Sequence, residues 1–158
     1  MNKHNFMKKY LIFAIALIAS VLVCTSCKKD KKNEVEEPEL KGTIYHYHGI
    51  SSTRDYSCEH DIYIAMEDNH KMTMKWVDIK PSKDAAPVTF YLYDGGWDED
   101  GEGGFYIGCD ATPQLPNGKV PADWESVDIS GHCDTTICDF DYHINGVTGA
   151  IFTGEIVK

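Results

Sequence analysis

The sequence has no apolar run long enough to cross a bilayer as a helix. Its longest such stretch, Tyr10 to Cys24, counts fifteen residues, against the about 20 that a spanning helix needs. Positive charge is scarce beyond residue 41: residues 42–158 hold seven Lys or Arg against twenty Asp or Glu, a net −13. Such a surface repels phosphate backbones, which argues against nucleic acid as a partner. No G-x-S-x-G elbow is there to expose a serine nucleophile. No glycine-rich loop lies between a strand and a helix, so a phosphate has no cradle. The acids single out no pair for glycoside cleavage. Beyond the first thirty residues no segment carries a helical period, and there is no internal repeat. These absences point away from an enzyme and imply no cofactor.

What is present begins with the first 26 residues. Lys3, Lys8 and Lys9 precede the apolar stretch, and Thr25-Ser26-Cys27 leads into the polar run KKDKKNEVEEPE. Fifteen apolar residues match the core of an export signal, which spans roughly 7–15. Peptidases require a small side chain before the cut, so Ser26 suits cleavage ahead of Cys27, whereas Val23 suits it badly ahead of Cys24. Val23-Cys24-Thr25-Ser26-Cys27 resembles the type II signal of bacterial lipoprotein precursors, with Cys24 where that family favours leucine. The SCKKD sequence is similar to lipoproteins of the Bacteroidota. The resemblance spans about the first thirty residues and carries no information on the domain. It implies that residues 1–26 are removed and that Cys27 carries the lipid, palmitate-like acyl chains on its thiol and amine. Each buried methylene contributes about 0.8 kcal/mol, so several chains anchor essentially permanently. The implied location is the cell envelope, with the outer membrane as anchor and a periplasmic or surface-exposed domain. An ordinary cleaved signal, or an uncleaved anchor, is the rival. Residues 27–41 then form the lipidated cysteine and a tether. Lys28 to Lys41 carries five basic and five acidic residues and has too little apolar surface to fold.

Residues 42–158 read as strand almost throughout. Gly42–Gly49, His60–Glu67, Lys71–Ile79, Val88–Asp94, Gly104–Asp110, Ser126–Cys133, Cys138–Ile144 and Ala150–Val157 alternate apolar with polar or are rich in β-branched and aromatic residues. Asp68-Asn69 and Asn145-Gly146 mark turns, 81–87 and 95–103 mark loops, and four prolines or Asn-Gly signals make 111–123 irregular, with a helical turn at Pro121–Glu125. The fold class is all-β: an antiparallel meander of about eight strands forming a small β-barrel, or a β-sandwich of the immunoglobulin type. In architecture the barrel reading resembles the calycin-like (lipocalin-like) barrels.

Of the six cysteines, four fall in this domain. An even number in an exported domain reads as two disulfides, for which four cysteines allow three pairings. Cys133 and Cys138 enclose four residues, a hairpin length at which Cα atoms facing across the strands come within disulfide range. That leaves Cys58 with Cys109 as a long-range bridge. Free thiols or a metal site are the alternatives.

His46 and His48 project from one face of a strand, as H-x-H metal pairs do, and His60 or His132 could complete a zinc or copper site. Ile44 shares that face while Tyr45 and Tyr47 take the other, so the histidines also fit a plain solvent face. Asp94–Gly104 gathers five acids among glycines, which suits calcium, although the EF-hand order is absent. Trp97 at this tip either stacks on a sugar or a partner, or folds back over the core. Trp124 is the second candidate for ligand contact, or plugs the barrel mouth, and Trp76 reads as core. The expected function is a membrane-anchored, non-catalytic module. Its candidate partners are membrane lipid through Cys27 and a glycan, small ligand or protein at a loop end. A structural role through a sheet edge and a metal protein built on His46 and His48 are the alternatives.

Overall fold

The structure, a computed structural model, describes residues 36–146 and 148–158. The leader, Cys24 and Cys27 lie outside the described residues. Eight strands follow in chain order: β1 (Thr43–Ser52), β2 (Ser57–Met66), β3 (Lys71–Ile79), β4 (Val88–Glu99), β5 (Phe105–Ala111), β6 (Val127–Cys133), β7 (Ile137–Ile144) and β8 (Thr148–Ile156). Each pairs antiparallel with the next, and β8 returns to β1 to close the barrel. The fold is therefore the meander barrel and not the sandwich. Each of the eight strands thus has a neighbour on both sides.

Turn chemistry fixes the register. Between β6 and β7, the Asp134 carboxylate accepts from the Thr136 and Ile137 amides at 2.6 and 2.8 Å. This holds Cys133 directly opposite Cys138. Asn145 and Gly146 both take positive φ, 55° and 67°, a conformation those two residue types accept most readily. Two register shifts bend the β3–β4 pair, and Asp78 and Asp94 take positive φ near them. Such bulges add twist and help a sheet curl. β4 runs on to Glu99, so the expected loop 95–103 shrinks to the few residues between Glu99 and Phe105. Gly95 and Gly96 are inside the strand because they pair with Met72 and Lys71 across β3.

The inward faces fill the barrel. Trp76 is fully buried. Its ring packs on Phe90 (centroids 5.3 Å apart), Phe140 (5.6 Å), His60 (5.6 Å) and Tyr142 (4.8 Å, edge-on). Its indole nitrogen finds no hydrogen-bond partner among the described residues. Phe152 stacks on Phe140 at 5.0 Å. Gly131 faces inward opposite Phe140, whose Cβ occupies the space a Gly131 side chain would need. At the end of the barrel where β5 leads into β6, Trp124 is 9% exposed and sets its ring edge-on to Phe90 at 5.1 Å. It plugs that end.

Cys133 and Cys138 form a disulfide with Cα atoms 3.9 Å apart. Cys58 and Cys109 are free, which corrects the expected second bridge. Cys58 opens β2, and its thiol donates to the Lys80 carbonyl just past β3 (3.7 Å). Cys109 and Met72 flank Gly95 from either side. Met72 in turn pairs with Met66, at the far end of β2 from Cys58. Cys58 on β2 and Cys109 on β5 are thus kept apart in the strand order by β3 and β4, and the two thiols are not joined.

The last residues of the tether are not free in solvent. Lys75 on the outer face of β3 donates to the Glu37 carboxylate, as does the Tyr91 hydroxyl at 3.5 Å. The ammonium lies 5.7 and 5.8 Å from the Tyr63 and Tyr91 ring centroids. Glu37 is therefore tied to β3.

Candidate functional site

The barrel end opposite Trp124 is open. There the start of β1, the β2–β3 turn, the end of β4 and the start of β5 surround a cleft of about 360 Å³. Thr43, Tyr45, Met66, Asp68, Trp97 and Phe105 form its walls, and Glu99 with the 101–104 loop forms its rim. Strand parity puts the side chains there: Tyr45, Met66, Trp97 and Phe105 occupy inward positions at the ends of their strands. Tyr45 and Phe105 lie in contact, ring centroids 5.0 Å apart at 46°.

Trp97 is held rigidly. Its indole N–H donates to the Glu67 carbonyl (3.1 Å) and its amide to the His70 carbonyl (3.0 Å). The His70 ring stacks against the indole at 5.0 Å, and its Nδ1 donates back to the Trp97 carbonyl (3.1 Å). The residue is half-buried. It neither stands free at a loop tip nor disappears into the core.

The rim is equally fixed. Asp100 accepts from the Glu102 amide (2.7 Å), the Gly104 amide (3.0 Å) and His132 Nε2 (2.7 Å). The Glu102 amide above all, with His132, holds the Asp100 carboxyl below the usual range. A Cβ on Gly104 would fall 2.6 Å from Asp100 Oδ2 and 2.7 Å from His132 Nε2, so any side chain there would push one of them aside. The acids expected to gather on this loop are dispersed instead. Asp94 reaches toward Lys71 (3.6 Å), Asp98 toward His70 (3.3 Å), and Asp100 is committed to the rim.

The histidines divide between the two faces of the sheet. His46 and His48 point outward, and both donate to the same oxygen of Asp61, at 3.0 and 2.9 Å. His48 Nε2 also reaches Glu59 at 2.8 Å. With both nitrogens facing carboxylates, Glu59 first and Asp61 second, the His48 pKa is raised. His60 points inward and cannot join them. It is buried, Ser51 Oγ lies 2.7 Å from its Nε2, and burial pushes its pKa down to about 4. Its parity with Ile62, Ile64 and Met66 already carried that signal. Among the described residues no group of three or more His, Cys, Asp or Glu is arranged to hold a metal ion.

Trp124 lies at the plugged end, away from Trp97, so the two candidate tryptophans do not form one ligand surface. Sequence reasoning missed Tyr45, Met66, Asp68 and Phe105, and placed Glu99 in an acidic cluster instead of at a cleft rim. Alternation marks Tyr45, Met66 and Phe105 as inward, but only the closed barrel brings them to one mouth.

Fold and site together define a class: a small, filled β-barrel of eight antiparallel strands with a partly aromatic cleft at one end. The chain matches no protein-family model, no curated protein and no solved structure.

Proposed function

We propose that the chain is a cell-envelope lipoprotein whose barrel is a non-catalytic binding module, tethered through acyl chains on Cys27. Its ligand engages the mouth cleft and not the barrel interior. The observation that carries the binding reading is the contrast between a packed interior around Trp76 and an open, rigid aromatic cleft around Trp97. Clefts of about 300–1,000 Å³ are the usual size of small-ligand sites, and this one sets aromatic rings beside polar groups. Preformed walls also lower the ordering cost of binding. The anchoring reading is supported by the leader and by the acid-rich, soluble character of residues 42–158. The outer membrane is the proposed anchor.

Mass spectrometry of the protein isolated from bacterial envelopes tests the anchor. The expected product begins at Cys27 with acyl mass on that residue, and Cys27→Ala abolishes it. A product that starts elsewhere, or lacks acyl chains, overturns the lipoprotein reading. For the cleft, indole fluorescence and NMR shifts of Trp97 should respond to ligand while those of Trp124 stay unchanged.

A further inference from the structure

We infer that the ligand of the mouth cleft is a small organic cation, a protonated amine or a quaternary ammonium. This rests on the cleft being the binding site, and it goes further by fixing the charge of what enters.

Three observations converge. First, part of the wall is aromatic: Trp97, Tyr45 and Phe105 line one cavity. Because the Trp97 N–H is spent on Glu67 and one ring face on His70, what the indole can still offer a ligand is π surface and not a donor. An aromatic face carries negative quadrupolar charge and attracts cations, the principle behind aromatic cages for quaternary ammonium groups. Second, Asp68 and Glu99 line the same cavity, and neither carboxylate has an ion-pair partner among the described residues. The other carboxylates of this neighbourhood are engaged, Asp94 with Lys71, Asp98 with His70 and Asp100 with His132. Third, no Lys, Arg or His lines the cleft, and residues 42–158 carry a net −13. That field concentrates cations at the surface and repels anions.

A neutral sugar could stack on Trp97 but would leave both carboxylates without a charge partner. An anion would meet only like charge. A cation of tetramethylammonium size satisfies the ring faces and the carboxylates together, and the cleft volume accommodates it.

The test titrates the purified protein at constant ionic strength with four probes: tetramethylammonium, tert-butanol as its neutral shape mimic, acetate, and glucose. Trp97 is read by fluorescence and by its indole N–H resonance. Tetramethylammonium should perturb Trp97 saturably and bind about tenfold or more tighter than tert-butanol. Trp97→Ala should abolish the response of the remaining cleft resonances. The double variant Asp68→Asn, Glu99→Gln changes only exposed side chains; it should keep the melting temperature and weaken the cation roughly five- to tenfold. Glucose binding that depends on Trp97, with no cation response, would overturn the cation inference and leave the cleft standing. Unchanged cation affinity in the double variant also overturns it. No response to any probe at tens of millimolar overturns both the inference and the binding site beneath it.

Discussion

Ser51 Oγ and His60 Nε2 meet at 2.7 Å inside the barrel wall, and the imidazole is sandwiched between Trp76 and Phe152 at 5.6 and 5.2 Å. This is a neutral histidine in an apolar enclosure. Burial lowers its pKa from 6.5 to about 4, because the charged form is disfavoured there.

The pH dependence of stability follows from that shift. The unfolded chain takes up a proton near pH 6.5 and the folded chain only near pH 4. Between those values the unfolded state binds more protons, so stability is fully present above about pH 6.5 and is lost as pH falls toward 4. The loss is on the order of 3 kcal/mol. His48 works in the opposite sense, since its raised pKa adds stability as pH falls, but it is half exposed and screened. Urea melts from pH 8 to pH 4.5 should show the decline. In His60→Leu the dependence across that window should flatten.

Cysteine reactivity should sort by position. Non-reducing peptide mapping should recover Cys133 joined to Cys138. Cys58 is part-exposed and should label with a thiol reagent in the native protein. Cys109 is buried with its thiol pushed up to about 11 and should label only on unfolding, since the thiolate is the reactive form. Reducing the hairpin bridge should cost about 2 kcal/mol, the loop-closure value for so short a loop. Recovery of a Cys58–Cys109 peptide would contradict the free state of both thiols.

Gly104→Ala should disturb the rim and not the core. The added carbon would displace Asp100 or His132 and break the bond between them. The expected sign is a shift of the His132 ring resonances and faster amide exchange over 100–104. The destabilisation should be about 0.5–1.5 kcal/mol, the net contribution of one hydrogen bond.

The segment at Glu37 provides a milder test. Glu37→Ala removes the carboxylate that receives Lys75 and Tyr91. Exposed ion pairs contribute about 0–1 kcal/mol, so the melting temperature should barely change. Amide exchange over residues 37–42 should nonetheless rise, because Glu37 is what ties this stretch to β3.

Much of the fold was legible because a strand exposes its two faces in alternation. Met72, Met74 and Trp76 announced an inward face, and Asn145-Gly146 announced a turn; both stand. The same parity marked His60 as inward, yet spacing alone had grouped it with His46 and His48. The 95–103 segment read as a loop because its glycines and acids carry no strand signal of their own. Pairing with β3 and β5 overrides that local preference.

By itself the sequence determined the all-β class, the eight-strand count, the hairpin bridge at Cys133–Cys138 and the acidic surface. Each depends on residues close together in the chain or on plain composition. The tertiary structure alone decided barrel over sandwich, the free state of Cys58 and Cys109 and the meeting of Trp97, Tyr45 and Phe105 at one mouth. Those relations join strands distant in sequence. They are set by how register shifts accumulate around the closed sheet, which no local pattern encodes.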